Sequence, residues 1–242
     1  MRVAAVQFKP PKGDGKTARL RLQSLARHAA EGADLVVLPE MAATGYVFDG
    51  PDAIRPGAED PDGPTFQALA AVAREAGVWV VGGFPERAGA RLFNSALIID
   101  PAGALAGVYR KTLLFDADLP WATPGDSGYM RFETGAGAFG VGICMDLNDD
   151  DFVAWVARAD VRAVAFPTNW LLQPESGVDV WEYWAWRMND APDTALIAAN
   201  TYGPEAEIAF CGRSAIMRNW TVMAHAPATG DGIIRATLPT HG

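Results

Sequence analysis

Short apolar runs alternate with amphipathic stretches along the whole chain. The run 35–38, Leu-Val-Val-Leu, has no polar position and is typical of a strand buried on both faces. The stretch 17–31 instead carries leucines and alanines near one side at helical spacing, and Gly32 follows it, as glycine often follows a helix. The stretch 64–76 repeats this pattern, with a proline in its first turn and a glycine after its end. The alternation therefore predicts strands and helices in succession.

The same pattern extends through the second half of the chain, with some strands joined directly by turns. The predicted strands are 3–8, 35–38, 78–84, 95–99, 104–109, 139–143, 163–166, 196–200, 209–217, 221–226 and 232–238. The predicted helices are 17–31, 64–76, 151–158 and 181–188. This order indicates an α/β sandwich of two sheets flanked by helices, in a single domain that spans residues 1–242.

Composition and charge exclude several classes of function. Of the 242 residues 50% are hydrophobic and 20% are charged, which is typical of a globular domain with a full core. The formal net charge of −9 and the pI of about 4.8 argue against nucleic acid and anionic membrane surfaces as partners. No stretch approaches the roughly 18 apolar residues of a membrane span, and the first apolar run is too short for a signal peptide. We therefore expect a cytoplasmic protein with no nucleic-acid and no membrane partner.

Cysteine and histidine are too few and too scattered for several kinds of site. The two cysteines, Cys144 and Cys211, cannot form a disulfide framework and lack the paired spacing of a zinc site. The three histidines, His28, His225 and His241, are far apart in the sequence. Histidines this scattered are not typical of a Ser-His-Asp triad or of a histidine metal centre. We therefore expect no metal ion.

Three chemically useful side chains lie within two residues of the ends of predicted strands. These are Glu40, Lys111 and Cys144. Open α/β sheets place their active-site residues at such strand ends. Taken alone, each residue also fits a plain role, as a solvated charge or as a small thiol of the core.

Together the three residues form a set that can break an amide bond. A thiol attacks as the thiolate, and its ordinary pKa of about 8.5 means that a base must take its proton near neutral pH. Glu40 in a confined site can be that base, since no histidine is well placed. Lys111 would stabilise the tetrahedral intermediate together with the backbone N–H of Met145. Water activated by Glu40 would then hydrolyse the thioester on Cys144.

The sequence around these residues resembles three motifs of the nitrilase (carbon–nitrogen hydrolase) superfamily, in the family's order and at similar spacing. The motifs read Leu-Pro-Glu-Met at 38–41, followed by Thr-Gly-Tyr at 44–46, then Tyr-Arg-Lys-Thr at 109–112 and Gly-Ile-Cys-Met-Asp at 142–146. Further matches lie at 3–7, 93–96, 124–126 and 210–214. The resemblance covers nearly the whole chain. It implies a four-layer αββα sandwich, catalysis by Glu40, Lys111 and Cys144, no metal or organic cofactor, and a homodimer.

One branch of the superfamily resembles the chain in finer detail. The segments 143–148, 183–188 and 200–210 are similar to protein N-terminal amidases, which deamidate an N-terminal Asn or Gln. Carbamoyl amidohydrolases and other aliphatic amidases share much of this likeness. The resemblance implies an amidase that turns a linear amide into a carboxylate and ammonia, with a peptide N-terminus or a small ω-amide as substrate. N-carbamoyl amidohydrolase or nitrilase chemistry is the alternative.

The chain departs from the family where many members carry a second glutamate, eight residues after the lysine. That position is Leu119. Asp118 is the candidate replacement and Asp116 a second one, although aspartate is one methylene shorter than glutamate. Because placement errors of about 1 Å reduce rates by on the order of a hundredfold, an inactive binding protein on the same fold is a further alternative.

Four residues are candidate substrate contacts. Asn169 and Trp170 follow a predicted strand and would present an amide and an aromatic ring at its end, and Tyr46 belongs to the first motif. Glu205, and as a second choice Asp146, would hold a substrate ammonium group, which an N-terminal amidase needs. The tryptophans equally fit packing against the sheet or across a subunit interface.

Overall fold

Strands and helices alternate along residues 1–239, the part of the chain that this computed structural model describes. The predicted domain 1–242 extends into residues 240–242, and His241 lies with them outside the described residues. The strands are β1 (Arg2–Gln7), β2 (Leu35–Val37), β3 (Trp79–Ala88), β4 (Arg91–Ile99), β5 (Leu105–Arg110), β6 (Met130–Phe132), β7 (Phe139–Val141), β8 (Ala163–Pro167), β9 (Ala195–Ala199), β10 (Tyr202–Glu205), β11 (Ile208–Cys211), β12 (Ala215–Arg218), β13 (Thr221–His225) and β14 (Gly232–Thr237). The α-helices are α1 (Gly15–Ala30), α2 (Pro51–Ile54), α3 (Pro64–Ala76), α4 (Asp150–Val156) and α5 (Val180–Arg187).

The strands form two six-stranded sheets and a separate hairpin. The first sheet has the order β14-β1-β2-β3-β4-β5, the second has the order β13-β12-β9-β8-β7-β6, and β10 pairs with β11. Three neighbouring strands are parallel in each sheet, β1 to β3 in the first and β7 to β9 in the second, and antiparallel strands flank them. The chain that follows β2 and β7 therefore leaves each sheet at the carboxyl end of a parallel strand, where α/β sheets place their sites.

Three apolar cores separate four layers. Val37 and Val141 belong to the core between the two sheets. Leu69 belongs to the core between the first sheet and the pair α1 and α3. Trp184 belongs to the core between the second sheet and the pair α4 and α5. The αββα sandwich in a single domain, which the resemblance implied, is confirmed.

Local chemistry explains where the two long helices begin and end. The Asp14 carboxylate caps α1 by accepting a hydrogen bond of 3.0 Å from the Thr17 N–H. Helix α3 begins at Pro64 and ends before Gly77, whose φ of 67° is left-handed. Both predicted helices are confirmed to within two residues at each end. No helix within residues 1–239 is long and apolar enough to span a membrane.

The predicted single strand 209–217 is wrong. The segment forms two strands in different sheets, β11 and β12, because Gly212 and Arg213 between them have left-handed φ angles of 64° and 53°. A side chain at Gly212 would also collide with the backbone of Ala228, so the close approach requires glycine. The short elements α2, β6 and β10 were not predicted.

Candidate active site

The structure brings Glu40, Lys111 and Cys144 together from three strand ends. Glu40 follows β2, Lys111 follows β5, and Cys144 follows β7 of the other sheet. Lys111 Nζ lies 2.8 Å from Glu40 Oε1, and both side chains are fully buried. The charges of Glu40 and Lys111 both act on the pKa of the Cys144 thiol, so the thiol lies within electrostatic reach of the pair.

Asp118 completes the group around the lysine. Its Oδ2 lies 2.6 Å from Lys111 Nζ and accepts hydrogen bonds from the Phe115 N–H at 3.0 Å and the Tyr46 hydroxyl at 3.1 Å. Asp116 is exposed to solvent. Of the two aspartates considered for the missing glutamate, Asp118 therefore contacts the lysine, whereas Asp116 faces outwards.

Asn94 is a member of this site to which the sequence analysis gave no role. Its Nδ2 donates to Glu40 Oε1 at 2.7 Å and to Asp118 Oδ1 at 3.0 Å. The side chain is buried in the middle of β4. An amide among the mostly apolar residues of a strand was the signal that could have identified it, since buried polar side chains need partners.

Two carboxylates share one ammonium group inside the protein. Burial raises the pKa of Glu40 and the neighbouring Asp118 adds to the rise, while the charge of Lys111 opposes it. Burial lowers the pKa of Lys111, but Asp118 and Glu40 outweigh this effect, and the pKa lies well above its usual value. Lys111 is therefore a permanent cation, and Glu40 is placed to gain a proton.

One carboxylate oxygen of Glu40 has no protein partner. Oε1 accepts from Lys111 and Asn94, whereas Oε2 is buried without a hydrogen bond among the residues that the structure describes. An unpaired buried acceptor costs about 1–3 kcal/mol, so a ligand that donates to it would be stabilised there. This oxygen is the available proton acceptor of the site.

Cys144 lies on a strained backbone. Its φ is 44°, in the left-handed region, and it is the first residue of the 3₁₀ turn Cys144–Asn148. Burial raises the pKa of its thiol and Glu40 adds to the rise, although Lys111, Thr168 and Asn169 act in the opposite direction. The thiol is therefore protonated at neutral pH and needs a base before it can attack.

Cys144 lines a cavity of about 720 Å³, a volume within the range of small-molecule sites. Met145, Asn169 and Trp170 line the same cavity. The Oδ1 atom of Asn169 is buried and has no hydrogen-bond partner within residues 1–239. Across the described residues, no group of three or more His, Cys, Asp or Glu side chains is placed to hold a metal ion.

Tyr46 and Glu205 do not line this cavity. Tyr46 is buried, and its hydroxyl lies 3.3 Å from Lys111 Nζ. Glu205 Oε1 accepts hydrogen bonds of 2.8 Å from the N–H groups of Tyr46 and Val47 and pairs with Lys12 at 3.0 Å. Glu205 therefore fixes the loop that carries Tyr46, and its assignment as the ligand of a substrate ammonium group stays a prediction.

Asp146 is likewise occupied by the protein. One carboxylate oxygen accepts from the two N–H groups of 112–113, at 2.9 Å each. The other accepts from the Tyr109 hydroxyl at 2.8 Å and the Ile143 N–H at 2.9 Å. Asp146 thus ties the loop after the lysine to the turn of the cysteine, and its second-choice assignment as an ammonium ligand stays a prediction.

Comparison with known proteins assigns the chain to a family. The sequence model of the carbon–nitrogen hydrolase family matches residues 2–241. A nitrilase from Pyrococcus abyssi is 35% identical over 171 residues, which cover 70% of this chain and 65% of that protein. A protein N-terminal amidase from Schizosaccharomyces pombe is 28% identical over an alignment of 280 positions, gaps included, which covers 98% of this chain and 96% of that protein. A solved amidase from Nesterenkonia sp. AN1, with acrylamide added at its active-site cysteine, shares the fold with a TM-score of 0.83 at 23% identity, over 99% of this chain and 93% of that one.

Proposed function

The chain belongs to the carbon–nitrogen hydrolase family, and from this premise we propose that it is a cysteine-dependent amidase that converts a linear amide into a carboxylate and ammonia. The proposed substrates carry the amide on the N-terminal Asn or Gln of a peptide or at the end of a small ω-amide. One observation carries the proposal: Glu40 Oε2 is buried without a hydrogen-bond partner among the described residues, in the site that also holds the Cys144 thiol. A nucleophile with a poised base is what acyl transfer through a thioester requires.

In the first step, Cys144 Sγ attacks the amide carbon while Glu40 Oε2 takes the thiol proton. A carbon–sulfur bond forms, and the electron pair of the carbonyl double bond moves onto oxygen. The Lys111 ammonium group and the Met145 backbone N–H stabilise this oxyanion. The resulting tetrahedral intermediate is held between the two sheets' strand ends.

In the second step, Glu40 gives its proton to the amide nitrogen, the carbon–nitrogen bond breaks, and ammonia leaves. The acyl group remains on Cys144 as a thioester. Glu40 then takes a proton from water, the hydroxide attacks the thioester, and the carbon–sulfur bond breaks. Cys144 recovers its proton, and the product leaves as a carboxylate.

Asp118 takes the place of the absent glutamate in this proposal. The 2.6 Å contact with Lys111 and the hydrogen bonds from Asn94 and Tyr46 support this role. The Asp118 N–H donates to the Phe115 carbonyl at 2.8 Å, and this turn brings the shorter side chain up to the lysine. These contacts fix the Lys111 side chain, so that its ammonium group stays charged and oriented towards the oxyanion.

Asn169 and Trp170 complete the proposed substrate contacts. The unpartnered Oδ1 of Asn169 accepts a hydrogen bond from a substrate N–H group, and the Trp170 ring forms an apolar wall. Tyr46 acts only through Asp118 and Lys111. A homodimer and a cytoplasmic location, both expected from the sequence, belong to the same proposal.

Ammonia release from simple amides, ω-amides and Asn- or Gln-initiated dipeptides tests the proposal. We expect release by the wild type, a loss of at least about a thousandfold in Cys144→Ala and Glu40→Gln, and a much smaller loss in the control Cys211→Ala, whose thiol lines the same cavity but is not the nucleophile. Release of carbon dioxide together with ammonia would identify a carbamoyl amidohydrolase instead of an amidase. Turnover of nitriles alone would identify a nitrilase.

Alkylation separates an inactive protein from an enzyme with an untested substrate. In the wild type, iodoacetamide should label Cys144 much faster than Cys211, because only Cys144 has a base beside it. Equal labelling of the two thiols without any ammonia release would identify an inactive binding protein.

A further inference from the structure

Two oppositely charged side chains line the same cavity as Cys144. Asp179 precedes α5, and Arg213 lies between β11 and β12. Arg213 Nη1 lies 2.7 Å from Asp179 Oδ2, and the two side chains are 30% and 36% exposed. Among the residues that the structure describes along this cavity, no other side chain is charged at neutral pH. The lining of the cavity therefore presents one negative and one positive side chain next to each other.

Arg213 is held by both its backbone and its side chain. Its backbone is left-handed, with φ of 53°, and its carbonyl accepts a hydrogen bond of 2.9 Å from Trp181 Nε1. The guanidinium group lies over the Trp181 ring, 3.9 Å from the ring centroid. Of the five N–H donors of an arginine, the hydrogen bond to Asp179 uses one. A fixed guanidinium with further donors is suited to a carboxylate.

Asp179 is also held in place and ionised. Its Oδ1 caps α5 by accepting from the Trp181 N–H at 2.9 Å, and its Oδ2 accepts from Arg213. Partial burial acts to raise its pKa, but the hydrogen bond from Arg213 outweighs this effect, and the pKa is lowered. A carboxylate has about four lone-pair positions, so Asp179 can still accept a hydrogen bond from an ammonium group.

We propose that Asp179 and Arg213 bind the ammonium and carboxylate groups of a zwitterionic substrate, a free α-amino acid whose side chain ends in the amide attacked by Cys144. This inference rests on the proposed amidase function and specifies its substrate. The two opposite charges lie side by side, as the ammonium and carboxylate groups do on one carbon atom. A peptide N-terminus supplies only the ammonium group and leaves the arginine facing an uncharged carbonyl.

Four probes with a primary amide at the end of a short alkyl chain test the two charges separately. They are L-glutamine with both charges, L-glutamine methyl ester with only the ammonium, N-acetyl-L-glutamine with only the carboxylate, and butyramide with neither. Ammonia release gives kcat/KM for each probe. We expect the wild type to prefer L-glutamine to the other three by about tenfold or more, since each charged contact adds affinity.

Two substitutions assign the charges to residues. Asp179→Asn keeps the helix cap and should lower kcat/KM for the two ammonium-bearing probes about tenfold more than for butyramide. Arg213→Gln should do the same for the two carboxylate-bearing probes, and Arg213→Lys should partly restore them. Arg27→Gln is the matched control, because it breaks the comparable Arg27–Glu75 pair (3.0 Å) on another face and should leave all four ratios unchanged.

Direct binding separates this inference from the amidase proposal. Calorimetry on the Cys144→Ala variant should detect binding of L-glutamine, whether or not the wild type hydrolyses it. Adding Asp179→Asn or Arg213→Gln to this variant should weaken the binding about tenfold. Probe preferences that are the same in both variants and the wild type, with thermal unfolding unchanged, would overturn the inference. If the enzyme preferred L-glutamine methyl ester or a Gln-initiated dipeptide to L-glutamine, the inference would be overturned, and a peptide N-terminus would be the substrate instead.

Discussion

At the scale of single residues, the site is organised around one buried cation. Lys111 lies between Glu40 at 2.8 Å and Asp118 at 2.6 Å, and Asn94 donates to both carboxylates. The identities of Glu40, Lys111 and Cys144 were readable from the motifs. The choice of Asp118 over Asp116 was not, because it depends on how one turn folds against the lysine.

Substituting Asp118 tests its role beside the lysine. Asp118→Asn removes a charge that holds Lys111, and we expect kcat/KM for ammonia release to fall by about a hundredfold. The exposed Asp116→Asn is the matched control and should stay within about threefold of the wild type. Near-normal activity of Asp118→Asn, or an equal loss in both variants, would remove Asp118 from the mechanism.

The pH dependence of kcat/KM follows from Glu40. The base must be ionised in the free enzyme, and burial raises its pKa above the usual range. Activity should therefore be lost as the pH falls through this raised pKa, at a higher pH than an ordinary glutamate of about 4.3 would give. Since the pKa of Lys111 is also raised, its deprotonation should not limit the rate at moderately alkaline pH. An acid limb at or below about pH 4.3 would contradict this assignment.

At the scale of elements, close backbone contacts position the residues of the site. Gly83 of β3 lies so near the segment that follows β2 that a Cβ at this position would be 2.5 Å from Glu40 Cα. The hairpin β10–β11 reaches the same region through Glu205, which holds the N–H groups of Tyr46 and Val47. These contacts join segments that are far apart in the sequence.

The contact at Gly83 should tolerate no side chain. Gly83→Ala forces the backbone at Glu40 to move, and we expect a loss of activity of at least about a hundredfold with a lower unfolding temperature. Gly82→Ala is the matched control, since the nearest atoms to its Cβ would be side-chain atoms of Leu38 and Leu69, at 3.1 Å, and not backbone atoms. If Gly83→Ala behaved like Gly82→Ala, the close approach would not be what fixes Glu40.

Substitution of Glu205 distinguishes a role in positioning the loop from a role in binding the substrate. Glu205→Gln keeps an acceptor for the two N–H groups, whereas Glu205→Ala leaves them unpaired and should reduce the free energy of unfolding by about 2 kcal/mol. Denaturant unfolding measures this difference. A Glu205→Gln variant that is stable but loses activity only on ammonium-bearing substrates would support the assignment of Glu205 as the ammonium ligand.

At the scale of the whole molecule, one face beside α5 exposes two tryptophans. Trp186 on α5 and Trp220 in the turn between β12 and β13 are 56% and 53% exposed. Trp220 Nε1 donates to Asn189 Oδ1 at 3.3 Å, so the turn lies against the chain that follows α5. Exposed tryptophans are typical of surfaces that pack against a second protein.

We expect this face to contribute to the proposed homodimer. Light scattering of the wild type should give the mass of a dimer, and Trp220→Lys should shift it towards the monomer. Leu20→Lys is the matched control, because Leu20 is 59% exposed on α1 in the opposite outer layer. A monomeric wild type would contradict the homodimer, and an unchanged dimer in Trp220→Lys would place the interface elsewhere.

The sequence by itself determined the alternation of strands and helices and the α/β sandwich of two sheets flanked by helices, and its motifs singled out Glu40, Lys111 and Cys144 as candidates. Those features depend on apolar periodicity, on caps and on residues adjacent in the chain, which are local properties. Its one wrong strand, 209–217, failed because two left-handed residues, Gly212 and Arg213, interrupt an otherwise suitable apolar pattern.

Only the tertiary structure decided which polar residues share a site. It brought Asn94 and Asp118 to Lys111, turned Glu205 towards a loop, and paired Asp179 with Arg213 in the cavity. Except for the short turn that carries Asp118, these contacts join residues that are far apart in the chain. The sequence around a polar residue does not indicate which partner it will contact once it is buried. The chemistry of each residue was therefore local, but its role followed from the fold.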